Sequence, residues 1–204
     1  MTLSRRALYV ILYSVMICSK CGKAFPSGQL NSVDVAKNPS EKESIKDGTF
    51  FLHKCSDCGT VSLNNDDPFV YHDSAQKILI VLSQTPISSP GLEGYTCRLV
   101  GSVGELIEKI NIFDAGLDDI AIEICKFVTL QEIKKNVPLK FYRADGTDGE
   151  LTLAYPEKEE MQMLQIGQNI YNDAIGILSR NPEIRRAAEG LVKVDQDWLC
   201  RFFK

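Results

Sequence analysis

The chain has no arginine between Arg6 and Arg98. Arginine is the side chain that grips phosphates and guanine edges with two parallel hydrogen bonds. The formal net charge is −4, so there is no strong positive field to draw nucleic acid in. Lys20, Lys23 and Lys54 cluster in sequence around the cysteines, but three lysines read as a solvated rim. Nucleic acid is therefore an unlikely partner. The chain also lacks a nucleophile elbow, a phosphate-binding loop and an HExxH helix. It has no low-complexity tract, and no apolar run reaches the roughly 18–20 residues of a membrane-spanning helix. Seven cysteines is an odd number, which argues against a complete disulfide framework and for a reducing, cytoplasmic setting.

What the chain has is a matched pair of turns, Cys18-Ser-Lys-Cys21-Gly22 and Cys55-Ser-Asp-Cys58-Gly59. Two residues between the cysteines let both sulfurs point into one concavity, where backbone amides can donate to the thiolates. A glycine follows the second cysteine in each copy, where a reversing turn needs φ > 0. Four thiolates from two such knuckles can close around one metal ion, and a four-cysteine tetrahedron is a common structural zinc arrangement. Cys18, Cys21, Cys55 and Cys58 are thus the candidate ligands of one structural Zn²⁺. Iron in a rubredoxin-like site uses similar knuckles. A redox CxxC needs only one copy, on a βαβ unit. Disulfides are the remaining reading. Cys97, Cys125 and Cys200 have no ligand spacing and read as small buried apolar residues.

The amino terminus imitates a signal peptide. Arg5-Arg6 precede an apolar run from Ala7 to Ile17. At roughly eleven residues the run is too short to span a bilayer, no small-x-small cleavage site follows it, and it ends on Cys18. Neither a cleaved signal nor an anchor is expected. Either a strand leads into the first knuckle and buries Leu8, Val10 and Leu12, or the segment is a leader upstream of a start at Met16.

Periodicity and breakers place the rest. Leu30–Ala36 reads as a strand. Asn38-Pro39 reads as N-cap and first position of a charged helix over 40–47, stopped by Gly48. Thr49–His53 reads as a strand that delivers the second knuckle. Phe69–Asp73 and Lys77–Ser83 read as a hairpin. Thr85–Gly94, with two prolines and two glycines, is the best linker. Thr96–Val100 reads as a strand, and Val103–Ile112 as a helix. Asp118-Asp119 can cap a second helix that turns Ala121, Ile124, Cys125 and Val128 inward. Leu139–Arg143 and Glu150–Tyr155 flank a hairpin turn. A helix from about Glu160 to Ser179 would turn Met163, Ile166, Ile170, Ala174 and Ile177 inward, and Asn181-Pro182 would cap a shorter one stopping at Gly190. The fold class is α+β: a zinc ribbon extended by antiparallel strands, followed by a region with a hairpin and several helices. The expected division is an extension over 1–15, a ribbon domain over 16–90 and an α+β region over 91–204, which could pack as one unit with the ribbon.

The knuckle pair, the Asn-Pro helix with its glycine stop, the aromatic strand before the second knuckle and Tyr71-His72-Asp73 together resemble the CpXC domain over roughly residues 16–130. That family is a bacterial zinc-ribbon-like group without an established activity. Its name refers to proline after the first cysteine of each pair; here Ser19 and Ser56 stand there, and serine can take the same backbone. The resemblance implies Cys18, Cys21, Cys55 and Cys58 as ligands and supplies no reaction.

His53 lies two residues before Cys55, on the same strand face, and reads as a partly exposed strand histidine. Tyr71-His72-Asp73 invites acid–base chemistry, but neighbours on a strand alternate faces and cannot converge on one substrate. His72 therefore reads as a hydrogen-bonded structural residue. The acidic pairs Asp118-Asp119 and Asp145/Asp148 read as helix-start charges and a hairpin tip. A closed four-cysteine site leaves no position for an activated water, so the metal itself is expected to catalyse nothing; whether the chain is an enzyme stays open, with the balance toward no. The leading functional reading is a zinc-stabilised protein-interaction or scaffold module whose partner is another protein. The alternatives are an enzyme or small-molecule binder with a site between ribbon and carboxy-terminal region, and a weak nucleic-acid-binding ribbon. An interaction module should show an exposed apolar patch or sheet edge.

Overall fold

A computed structural model describes residues 14–27, 31–65, 67–145 and 149–203. The chain is a mixed α+β protein in which each knuckle sits at the tip of its own short hairpin. β1 (Ser14–Ile17) pairs antiparallel with β2 (Ala24–Ser27), and the first knuckle joins them. β4 (Leu52–Lys54) pairs antiparallel with β5 (Val61–Leu63) around the second. The strand expected ahead of Cys18 is thus present from Ser14; residues 1–13, with Leu8, Val10 and Leu12, lie outside the described residues.

Between and after the hairpins runs a mixed sheet. β3 (Asn31–Asp34), β6 (Phe69–Asp73), β7 (Ile78–Leu82) and β8 (Thr96–Val100) lie side by side in the order β3-β6-β7-β8. The β6–β7 hairpin is antiparallel, as its sequence suggests, while β3–β6 and β7–β8 are parallel. The segment over 85–94 therefore connects two adjacent strands of one sheet. β3 reaches β6 through α1 (Pro39–Lys46), a 3-10 turn over Thr49–Phe51 and the β4–β5 hairpin. Asn38 occupies the N-cap, but its side chain makes no capping bond and donates instead to Asp34 O at 3.0 Å. The expected strand over 49–53 is confined to Leu52 and His53 (β4 runs on to Lys54), because Phe51 turns into the core and packs edge-on against Phe69. The hairpin leaves and returns to the fold at one point: Asn64 N donates to Phe51 O at 2.8 Å.

Helix α2 (Val103–Asp114) lies against this sheet and is capped by Ser102, whose hydroxyl accepts from Glu105 N. Val103, Leu106 and Ile110 pack with Tyr71, Ile80 and Leu82 in one hydrophobic core. The second core begins at Ile112 and is built on α3 (Asp119–Ile133). The carboxylate of Asp118 caps α3 as expected, accepting from Ile120 N and Ala121 N. A three-stranded antiparallel sheet covers that core: β9 (Lys140–Asp145), β10 (Glu150–Glu157) and β11 (Glu160–Ile166), in the order β11-β10-β9. Here the expected long helix is corrected. Residues 160–166 form β11, and the helix α4 starts only at Gln168, running to Arg180. Met163 is exposed on the sheet, while Ala174 and Ile177 do turn to the core. Two short helices, α5 (Pro182–Ala187) and α6 (Gln196–Leu199), finish the chain. Between them Val192 makes a parallel bridge to Arg98 at the β8 edge.

Candidate metal centre

The two knuckles have the same backbone. In the first, Cys18 N donates to Lys23 O at 2.9 Å and Gly22 N to Cys18 O at 2.9 Å; in the second, Cys55 N donates to Thr60 O at 2.9 Å and Gly59 N to Cys55 O at 3.0 Å. Gly22 and Gly59 both sit at φ +71°, the left-handed region that favours glycine. The repeated glycine was thus a backbone requirement, legible from its offset.

The hairpins bring the four sulfurs together. The Sγ atoms of Cys18, Cys21, Cys55 and Cys58 all lie within 4.8 Å of one another. Two of the separations between knuckles, Cys18 to Cys58 and Cys21 to Cys55, are 3.6 Å each. A tetrahedron with metal–sulfur bonds of about 2.3 Å has edges of about 3.8 Å. The sulfurs are far outside disulfide bonding, about 2.0 Å, and the donor set suits a thiophilic ion. Four cysteines this close could hold a metal ion. Cys18 and Cys55 are buried, Cys58 is half-buried and Cys21 is exposed.

The surroundings stabilise thiolate unevenly. The Thr60 hydroxyl and then its amide lower the Cys58 thiol to about 6. The Cys21 and Lys20 amides lower Cys18. At Cys21 the Lys23 amide acts in the same direction, but burial and the neighbouring sulfurs together push it up to about 12. One ring pair ties the two hairpins: Phe25 of β2 stacks on His53 of β4 at 3.9 Å with 17° between planes. His53 is thus a half-buried packing residue. Lys23 pairs with Asp57 across the knuckles at 3.4 Å; both are half-exposed, where such pairs contribute little.

The other sequence candidates disperse. Tyr71 and Asp73 are buried on one face of β6 and His72 looks out of the other, as strand alternation requires. His72 Nε2 lies 3.3 Å from the Tyr95 hydroxyl and its Nδ1 3.7 Å from Asp34. Asp34 is held below the usual carboxylate range, at about 2, first by Lys37 and then by Ser74. Asp73 accepts from the Ala75 and Gln76 amides and orders the turn into β7. Cys97 and Cys125 are buried as expected, and burial raises the Cys125 thiol to about 12. Cys200 is exposed, contrary to its reading as a buried apolar residue, because it follows the short α6 at the surface. Asp145 pairs with Arg143; Asp148 lies outside the described residues.

Sequence reasoning missed a buried ionic network. Arg98, Lys109, Lys126, Glu108, Asp119 and Glu123 are each no more than 8% exposed. Arg98 Nε and Nη2 donate to the two oxygens of Asp119 at 2.7 and 2.9 Å, and Lys109 reaches Asp119 at 2.9 Å. Lys126 bridges Glu108 and Glu123, and Gln196 donates to Glu123 at 2.7 Å. Three cations and three anions leave no net charge. The only sequence signal was a run of charges at core spacing on α3, at 119, 123 and 126.

These features define a mixed α+β protein with a two-knuckle cysteine cluster. A family model described as CpXC protein matches residues 16–126. That is more than half of the chain, and the chain belongs to the CpXC family. The match takes in both hairpins, the four-stranded sheet, α2 and half of α3; the β9–β11 sheet lies beyond it. No curated protein and no solved structure matches the chain. Among the described residues no helix is long and apolar enough to cross a membrane.

Proposed function

We propose that the chain is a zinc-stabilised protein-interaction module of the bacterial cytoplasm, with the two hairpins forming a zinc ribbon. Cys18, Cys21, Cys55 and Cys58 hold the ion. It supplies no chemistry to a substrate; bound there, it substitutes for a core that the hairpins do not have.

The observation that carries the reading is the outer face of the β4–β5 hairpin. Leu52 pairs with Leu63 and Lys54 with Val61, so all four side chains share one face. Leu52 is 49% exposed, Val61 54% and Leu63 45%. Three aliphatic residues presented together on a strand pair fixed at both ends are costly to leave in water, at about 25 cal/mol per Å² of apolar surface. Contiguous exposed apolar surface marks an interaction site. The thiolates add negative charge, and Lys20, Lys23 and Lys54 lie around them, so nucleic-acid binding is weak and fades with salt. A small-molecule role is supported by a cavity of about 400 Å³ lined by Pro90, the segment 92–98, Ile120, Arg185 of α5 and the segment 188–190 that follows it. No hairpin residue lines it, and its two arginines are already engaged with Asp119 and Asp118.

The test compares native protein with a Leu52→Ser/Leu63→Ser variant. Both should carry one zinc per chain by elemental analysis. Only the native protein should retain a protein partner in a pull-down from its own cells. Equal capture by both, with zinc in place, refutes the assignment of this face. An absence of metal in the native protein refutes the zinc.

A further inference from the structure

The two knuckles share a backbone but not their surroundings. Two positions past the second cysteine, the second knuckle has Thr60 and the first has Lys23. The Cys58 thiol donates to the Thr60 hydroxyl at 3.2 Å, and once a metal has displaced the thiol proton the hydroxyl is left to donate in return. The threonine's backbone is pinned, because Thr60 O accepts from Cys55 N. A threonine held at both Cβ and carbonyl has little freedom to turn the hydroxyl away. The Lys23 ammonium goes instead to Asp57, at 3.4 Å. Exposure differs in the same sense, with Cys58 half-buried and Cys21 exposed.

We propose that the cluster is asymmetric: Thr60 is a positioning residue that makes Cys58 its fixed corner, and Cys21 is the corner that reagents and competing ligands reach first. The inference rests on the reading of the cluster as a metal centre. A hydroxyl donating to a thiolate spreads its charge and fixes its direction. Partners of this kind, one bond removed from a metal, are worth on the order of 10–100-fold in affinity. Among the described residues the first knuckle offers only backbone amides for that purpose, so its outer sulfur is both less held and more open.

The experiment uses the full chain loaded with Zn²⁺, and separately with Co²⁺ as a spectroscopic probe. Thr60→Val keeps the shape and removes the donor. It should lower zinc affinity about 10-fold in a chelator competition and shift the thiolate-to-cobalt charge-transfer band. Thr60→Ser should restore both. Lys23→Ala should stay within about 2-fold of native, as expected for an exposed pair. Alkylation during slow chelator removal, read by peptide mapping, should label Cys21 first and Cys58 last. In Thr60→Val, Cys58 should move forward in that order. Native affinity in Thr60→Val, or early labelling of Cys58 in the native chain, overturns the asymmetry while the metal centre stands. A native chain that binds neither ion overturns both.

Discussion

The cysteine hairpins and the helical half break the usual rule of apolar inside and charged outside in opposite directions. The hairpins turn Ile17, Leu52, Val61 and Leu63 to solvent, and among the described residues no residue of β1, β2, β4 or β5 joins either hydrophobic core. The helical half buries six charged side chains around α2 and α3. Each exception has its own compensation. Four sulfurs and one stacked ring pair hold the hairpins, so their aliphatic residues are free to face outward. Balanced opposite charges within hydrogen-bonding distance make burial tolerable in the helical half, although such a network is weak grounds for added stability. The hairpins thus lean on the cysteine cluster and the helical half on its hydrophobic core, and damage to one should leave the other largely intact.

The largest effect should come from Cys55→Ser. Metal content should fall from one ion per chain to none, and amide protection over residues 52–63 should vanish, because structural metal binding and local folding are one event. Protection in α3 should persist. Simultaneous loss of protection in α3 would show that the two regions are not separable. Next comes Asp119→Ala, which leaves Arg98 and Lys109 buried without their shared partner. About 3–5 kcal/mol of stability should be lost in urea unfolding, with metal content unchanged. A loss below about 1 kcal/mol would mean that the network is wet.

Acid should separate the regions in the same way. Burial alone would raise Asp119 and Glu123, but nearby cations (Lys109 and Arg98 beside Asp119, Lys126 and Lys109 beside Glu123) outweigh it and both are lowered. Carboxylates lowered on folding stabilise above their unfolded values, about 3.9 and 4.3, and lose that contribution as pH falls through the folded values. Burial would lower Lys126, but Glu123 and Glu108 raise it; its contribution is full below about 10.4 and lost at higher pH. The helical half should therefore hold a stability plateau between about pH 5 and 10, checked by thermal melts across that range. A steady decline from pH 8 to 5 would exclude this assignment. The smallest effect should be that of Leu63→Ser, which removes an exposed side chain from a surface without a core. Stability should change by no more than about 0.5 kcal/mol. A loss of 2 kcal/mol or more would place Leu63 in a contact within the chain.

The same contrast explains what the sequence could and could not reveal. The knuckles were legible because bringing two sulfurs into one turn dictates the spacing of the cysteines, and the left-handed backbone that follows dictates the glycine. The Asp118 cap was legible for a similar local reason. Asp119, one residue on, looked identical in sequence, yet its partner Arg98 comes from a strand two elements earlier. Nothing local distinguishes a solvated carboxylate from one that a distant guanidinium has carried inside. The helix expected over 160–179 failed at its start because Met163, Ile166 and Ile170 fit a 3.6-residue period. Met161 to Ile166 alternate in burial but not in sequence, with Met161 and Met163 outward and Leu164 and Ile166 inward, and pairing with β10 decides the matter. Gly167, the N-cap of α4, was the overlooked break.

The bond from Asn64 N to Phe51 O gives the second hairpin a single doorway into the fold. Seen from the core, twelve residues carrying half of the cysteine cluster amount to one surface loop. Closing such a loop costs little and depends only weakly on its length, and loops with adjoining ends are where chains tolerate excision and transplantation. Replacing residues 52–63 with a short glycine-containing turn should therefore leave a folded, metal-free protein whose far-ultraviolet spectrum keeps its helical signal. The knuckle would then be a cassette, open to exchange between scaffolds without redesign of the sheet beneath it. Collapse of the shortened chain would show instead that the doorway is a hinge on which the core depends.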